Sequence, residues 1–226
     1  MSGPRAFVDL HCHTSASFDS LAQPAAVARA AAARGRSHLA ITDHDTIAGA
    51  LAARDAAPEG LTILVGQEIR TREGDLIGLF LTAAVPRDLP AAEAIAAVRA
   101  QGGLVGIPHP FDRFRGSLLR DGSASLLDLA ATVDWIEAWN ARILVGDGNT
   151  RAAELAFAVG VPGVAVSDSH TTTEIGVAYT TLQGDPSSAD GLRAALAGER
   201  GLITGRASAY VRLATPLAKL VKGARR

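Results

Sequence analysis

The sequence predicts an α/β fold of the barrel type, with parallel strands joined by crossover helices. Two observations predict it. Short strand-like runs alternate with helix-like runs along the chain, the rhythm of βα units. Side chains able to bind a metal recur where the strand-like runs end, which is where a parallel α/β barrel gathers its active site. A chain of 226 residues also suits one domain of this class, large enough to bury roughly 70% of the surface its unfolded form exposes.

The elements follow in order. Residues 7–10 make a strand that runs into His11-Cys12-His13. An alanine-rich helix near residues 24–34 has Pro24 well placed in its first turn. Residues 38–42 make a second strand ending at Asp43-His44-Asp45, and a helix near 46–56 follows. Residues 61–65 lead to Gly66-Gln67-Glu68, and residues 75–81 read as a strand across the turn-rich Arg72-Glu73-Gly74. A helix over 91–101 is stopped by Gly102-Gly103. The strand 104–107 halts at Pro108-His109-Pro110. Residues 111–123 form the longest irregular stretch and are expected to lie over the strand ends. A short helix at 125–131, a strand at 133–138 and a helix at 149–159 capped by Gly160 come next. The strand 163–166 ends at Ser167-Asp168-Ser169-His170, and 189–197 is the last clear helix. The basic segment from Lys219 onward is expected to be a mobile tail. With no internal repeat and no linker, residues 1–226 read as a single domain.

Composition narrows the function classes. A formal net charge of −1 gives no support to bulk binding of nucleic acid or an acidic membrane. The start of the chain lacks the apolar core of a signal peptide, and no apolar run is long enough to span a bilayer. The single cysteine, Cys12, forbids an internal disulfide and fits a reducing cytoplasm, the expected location. Strand alternation turns Cys12 away from its histidine neighbours, so it reads as a small buried apolar residue. The only lysines are Lys219 and Lys222. No barrel strand therefore offers a Schiff-base lysine or a carboxylated lysine.

The same alternation is expected to bring Asp9, His11 and His13 to one side, two imidazoles forming a chelate for a divalent ion. Alone, a His-x-His pair is usually solvated, and Asp-His-Asp is often a turn capped by its carboxylates. Their joint occurrence at successive strand ends points to a metal. His11, His13, His44, Glu68, His109, Glu137 or Asn140, Asp168 and His170 all fall at such ends. That is more than one ion with an open position requires, so several ions are expected. Asp9, Asp43 and Asp45 read as residues behind the ligands, one of the last two orienting an imidazole. His38 reads as structural, and Trp135 and Trp139 as packing residues.

Asp9-x-His11-x-His13-Thr14, Thr42-Asp43-His44-Asp45, Pro108-His109-Pro110 and Ser167-Asp168-x-His170 resemble, in order, the four motifs of the polymerase and histidinol phosphatase (PHP) superfamily. The likeness runs from the first strand to about Gly176. It implies a distorted (β/α)7 barrel with a trinuclear metal site at the C-terminal strand ends. Members include histidinol phosphatases, nucleotide phosphoesterases, 5′–3′ exonucleases and polymerase proofreading modules. Carried over by residue, the resemblance gives His11, His13, Glu68 and Asp168 to a first ion. Glu68 bridges to a second ion that His109 also holds, and Asp19, His44 and His170 take a third. A water activated over His11, His13, Glu68, His109 and Asp168 is the implied nucleophile. Many relatives place a histidine or cysteine after the strand at 133–138. Here Glu137 and Asn140 stand as the candidates.

The expected function is a metal-dependent phosphoesterase with two to three manganese, iron or zinc ions. The expected partner is a small phosphorylated metabolite, a nucleotide or a short oligonucleotide end. Arg113, Arg115 and Arg142 are the candidates for holding its phosphate. An amidohydrolase acting on C–N bonds shares His-x-His, but many of that class need the carboxylated lysine this chain lacks. A non-catalytic module would be marked by lost ligands, and nearly all are present.

Overall fold

The computed structural model describes residues 4–113, 115–118, 124–208 and 210–223. β1 (Arg5–Asp9), α1 (Pro24–Ala33), β2 (His38–Ile41), α2 (Ala48–Asp55) and β3 (Thr62–Arg70) open the chain. β4 (Asp75–Leu79), α3 (Ala91–Arg99), β5 (Leu104–Ile107), α4 (Ala124–Ala130), β6 (Trp135–Asn140), α5 (Gly148–Ala158) and β7 (Gly163–Val166) continue it. β8 (Tyr179–Gln183), α6 (Ala189–Ala197), β9 (Arg200–Ile203) and α7 (Val211–Gly223) complete it. The sheet order is β7-β6-β5-β4-β3-β2-β1-β8-β9.

β1, β2 and β3 pair in parallel, as do β5, β6 and β7. β4 departs from the all-parallel expectation: it is antiparallel to both β3 and β5. A parallel return needs a crossover of a dozen or more residues, and only residues 71–74 separate β3 from β4. Thr71 closes that turn, its Oγ1 accepting from Gly74 N at 3.1 Å. Gly74 takes φ of 150°, open to glycine and to few other residues.

The sheet curls until its ends nearly meet. Thr180 Oγ1 of β8 accepts from Ala165 N of β7 at 2.9 Å. Beyond the strand ends His13 N donates to Ser169 O at 2.8 Å, beside a parallel bridge between Cys12 and Ser169. β1 to β7 thus form a distorted barrel with one strand reversed. β8 and β9 extend its edge as an antiparallel pair that the sequence reading did not include.

Three apolar clusters hold this shape. Val8, Leu10, Ala40, Leu64, Leu104, Trp135 and Val166 share one of them, with Leu192 and Leu196 of α6. Strands as far apart as β1 and β6 meet there, so it fills the barrel's concave side. Gly106 makes room for Trp135, because a Cβ at 106 would run into the indole. Outside, Ala28 and Ala31 of α1 and Ala50 and Ala53 of α2 pack on Leu39, Ile41 and Ile63. Their small side chains let the helices approach closely, and each aliphatic strand side chain so covered contributes ~1.5–3 kcal/mol. Cys12 is fully buried in this outer cluster, as expected.

The C-terminal segment differs from expectation. Lys219 and Lys222 belong to α7, so residues 219–223 are helical and not a loose tail. Residues 224–226 lie outside the described residues, as do 114 and 119–123 of the irregular stretch. Among the described residues no helix is long and apolar enough to cross a membrane.

Candidate metal centre

The strand ends converge on one cavity of about 790 Å³. Three groups of side chains there have ligand atoms within 4.8 Å of one another. His13, Asp19, His44 and His170 form one, His11, His13 and Asp168 another, and Glu68, Asp75 and His109 the third. Glu68 links them. Its Oε2 lies 3.3 Å from His11 Nε2, 3.2 Å from His13 Nε2 and 3.4 Å from His44 Nδ1. Its Oε1 lies 3.0 Å from His109 Nε2. Asp75 was not singled out from the sequence. Only the reversed β4 brings it to Glu68 and His109.

Local backbone geometry aims these groups. Asp45, His109 and Asp168 have φ of 55°, 27° and 51°, so the chain turns sharply as each strand ends. Such left-handed values are uncommon outside glycine and are held by their surroundings. For His109 the holders are Glu137 Oε2, which accepts from its backbone N at 2.9 Å, and Ser117 Oγ, which donates to its O at 2.7 Å. Asp43 grips the loop after β1, accepting from Thr14 N and Thr14 Oγ1 at 2.6 Å each. Gly49 is required beside that clasp, since a Cβ there would collide with both partners. Ser17 Oγ then donates to Asp19 Oδ1 at 3.0 Å, accepts from His44 N at 3.2 Å and lies 3.3 Å from His13 Nδ1.

Several expectations are corrected here. β1 stops at Asp9, so strand alternation does not carry Asp9 into the cluster. Its Oδ1 accepts from Ser167 N at 3.1 Å and His11 N at 3.4 Å instead. Asp45 accepts from Arg70 N at 3.1 Å. Asp9, Asp43 and Asp45 therefore fix loops, and none of the three orients an imidazole. Glu137 does that: Oε1 takes the Nδ1 of His11 at 2.6 Å. With Oε2 accepting from His109 N and from Asn140 Nδ2 at 2.8 Å, Glu137 stands behind the ligands and outside the three groups. Asn140 turns its amide nitrogen toward the Glu137 carboxylate, its Nδ2 donating also to Asp168 Oδ2 at 3.0 Å.

The three arginines separate. Arg115 lines the cavity, where Nη1 contacts Asp168 Oδ2 and Nε donates to Asp112 Oδ2 at 2.7 Å. Arg142 is a buttress. It contacts His170 Nδ1, donates to Thr215 Oγ1 of α7 at 2.7 Å and lies 3.6 Å from Glu174. Arg113 lines a separate small recess. Arg70, Arg87, Lys219 and Lys222 also line the main cavity and were not read from the sequence as site residues. Lys222 donates to Ser15 O at 2.6 Å and also to Ser17 O, which seats α7 on the loop after β1. Phe18 stacks on His44 with centroids 4.7 Å apart, and Lys219 Nζ lies 5.1 Å from the Phe18 centroid. His38 is structural, bridging Ser37 and Ser187 at 2.9 and 3.0 Å. Trp135 is fully buried in the core, and Trp139 donates to Gly205 O at 2.8 Å.

The imidazoles divide electrostatically. Burial and the nearby His170 and His44 hold His13 well below the usual histidine value. Burial and the Arg142 guanidinium push His170 down to about 3, and burial and Arg115 lower His109. For His11 and His44 burial acts downward too, but carboxylates win. Glu137 and Glu68 raise His11 to about 10, and Glu68 and Asp19 raise His44 to about 9. Burial lifts Asp75 to about 7, with Glu68 adding to the lift.

The donor set suits divalent ions. Imidazole and carboxylate are the ligands of zinc, iron and manganese sites. Buried Asp168 Oδ1 and His109 Nδ1 have no hydrogen-bond partner among the described residues. Nε2 of His11 and Nε2 of His13 approach to 2.9 Å, a spacing a shared cation relieves.

Comparison with known proteins agrees with this fold. The model of the PHP domain matches residues 9–132, just over half the chain, and that of the PHP-associated region matches residues 146–200. An uncharacterized protein of Methanocaldococcus jannaschii is 38% identical over 114 residues, 46% of this chain and 67% of the relative. A 5′-3′ exoribonuclease of Haemophilus influenzae is 34% identical over 130 residues, 52% of this chain and 46% of that protein. The chain thus spans about half the length of the exoribonuclease. The crystal structure of the lesion-specific endonuclease PfuEndoQ from Pyrococcus furiosus superposes with a TM-score of 0.67 at 18% identity, over 88% of this chain and 58% of that one. At that identity the shared property is the barrel. From the first strand through the third motif, sequence and fold agree, and the chain belongs to the PHP domain family.

Proposed function

We propose that this protein is a metal-dependent phosphoesterase. Its substrate is a small phosphorylated metabolite, a nucleotide or the end of a short oligonucleotide. One observation carries the reading. Outside the three ligand groups, the titratable side chains lining the cavity among the described residues are Arg70, Arg87, Arg115, Lys219 and Lys222 against the carboxylate of Asp45. A cavity that gathers cations at its floor and lines its wall with more of them favours an anionic ester over a neutral amide.

Two to three divalent ions, manganese, iron or zinc, when bound, supply Lewis acidity and make water a nucleophile near neutral pH. The chain's own residues do the rest. Five imidazoles and the carboxylates of Asp19, Glu68 and Asp168 would hold the ions. Glu137 fixes the tautomer of His11. Arg115, which lines the cavity, offers a planar fork of N–H donors to a phosphate. A cytoplasmic location, with no bulk nucleic-acid or membrane partner, belongs to the same proposal.

The test is a phosphate-release screen over phosphorylated metabolites, nucleotides and short oligonucleotides, with manganese, zinc and iron supplied separately. Phosphate release that a chelator abolishes supports the reading. Metal-dependent amide hydrolysis or deamination, with no phosphate released from any ester, overturns it in favour of C–N chemistry.

A further inference from the structure

An ion held by Glu68 and His109 would need further ligands, and the candidate side chain at the end of β6, Asn140, is already committed. Glu137 only accepts hydrogen bonds when ionised, so the Asn140 amide must turn its NH2 toward it. That leaves Asn140 Oδ1 toward Arg142 N at 3.0 Å and Arg115 Nη2 at 3.4 Å, with no oxygen to spare.

Asp75 is in the opposite state. It is 7% exposed, lines the cavity, and its carboxylate makes no hydrogen bond or ion pair among the described residues. Its ligand atom lies within 4.8 Å of those of both Glu68 and His109. The backbone holds it there: Asp75 pairs with Arg70 across the β3–β4 hairpin, and its N donates to Gly116 O at 2.6 Å. Gly116 leaves the carboxylate its room, because a Cβ at 116 would strike it.

We infer that Asp75, and not Asn140, completes the coordination of the ion held by Glu68 and His109, and that this site therefore discriminates less against manganese than its neighbour does. Two carboxylates and one imidazole make an oxygen-rich, hard donor set. The adjoining group, His13, Asp19, His44 and His170, has three imidazoles and one carboxylate, a softer set that favours zinc or iron. One cavity thus holds two kinds of site, set by whether the chain offers oxygen or nitrogen. The inference rests on the metal reading of the centre but not on the phosphoester, because metal content reads it whatever the substrate.

The experiment uses the full chain, stripped with a chelator and equilibrated with manganese or zinc. Metal bound per chain and its affinity are then measured for wild type, Asp75→Asn, Asp75→His and Asn140→Ala. Asp75→Asn should bind one equivalent fewer, that site weakened by at least ~100-fold, since even residues behind a ligand are worth 10–100-fold. Asp75→His should recover the equivalent with zinc and not with manganese, and Asn140→Ala should keep the wild-type count. Melting of the metal-free proteins reports whether each variant folds. Wild-type stoichiometry and affinity in Asp75→Asn overturn the inference. So does loss of the equivalent in Asn140→Ala alone. If Asp75→Asn does not fold, a wild-type manganese preference in Asp75→His overturns it.

Discussion

Nε2 of His11 and Nε2 of His13 face each other at 2.9 Å in the floor of the cavity. Both rings are held from behind, His11 Nδ1 by Glu137 at 2.6 Å and His13 Nδ1 by Ser17 at 3.3 Å. With the proton on Nδ1, a neutral ring turns its lone pair outward from Nε2. Two such lone pairs aimed at one point repel unless a cation or a proton sits between them. Sequence supplied the pair of histidines, and Glu137, 126 positions away, supplies the tautomer.

Metal affinity should fall with pH. Without an ion, Glu137 and Glu68 outweigh burial and hold the His11 proton to about pH 10, and Glu68 and Asp19 do the same for His44 to about pH 9. An ion must displace those protons, so binding releases them and strengthens as pH rises. His13, whose value is depressed, has no proton to lose and adds nothing to the slope. Competition with a chromophoric chelator at pH 6, 7 and 8 should show affinity falling about tenfold per unit toward acid for each proton displaced. A flat profile would mean that His11 and His44 are not ligands.

Replacing His13 by alanine, or Asp168 by asparagine, should lower activity by at least ~100-fold. His13 belongs to two ligand groups, so it costs more than a residue serving one. Circular dichroism should be unchanged, because the apolar core built on Val8, Leu64 and Trp135 contains neither residue. Full activity in both variants would contradict the ligand assignment.

Glu137→Gln tests a residue that touches ligands without being one. The carboxylate accepts from His11 Nδ1, His109 N and Asn140 Nδ2. Glutamine has one acceptor oxygen, so its NH2 must face a donor, a buried mismatch worth ~1–3 kcal/mol. Metal affinity or activity should fall ~10–100-fold with a lowered melting temperature. A melting change with wild-type metal affinity would reduce Glu137 to a packing role.

Arg115→Ala and His44→Ala should fail differently. An arginine offers hydrogen-bond donors and no lone pair. Arg115→Ala should therefore keep its metal and raise KM or lower kcat/KM by ~10-fold or more, the scale of one charge-assisted hydrogen bond. His44→Ala should lose metal together with rate. Metal stoichiometry and kinetics on the same preparations separate the two. Unchanged kinetics in Arg115→Ala would leave Arg70 and Arg87 to hold the substrate.

The strand ends were legible because histidines and acids mark them where periodic apolar runs stop, as at His11, His44, His109 and His170. The helices were legible because Pro24, Gly102 and Gly160 punctuate alanine-rich stretches. What was not legible depends on contacts distant in sequence. The reversal of β4 is decided by residues 71–74, too short for a crossover, and it carries Asp75 into the site. Arg142 reads as a candidate for holding phosphate in the sequence, yet His170, Glu174 and Thr215 enclose it. Lys222 reads as part of a tail, yet it is bonded to the loop at Ser15 and Ser17, over two hundred residues earlier. Local propensity carries no record of such partners.

The most direct test of a multinuclear phosphoesterase titrates the metal-stripped protein with manganese while recording phosphate release from the best ester of the screen. Three adjoining ligand groups, two of them sharing His13 and all of them touched by Glu68, predict little turnover at the first equivalent bound and a steep rise as the second is filled. Full activity at one equivalent, or phosphate release from the metal-free protein, would contradict it.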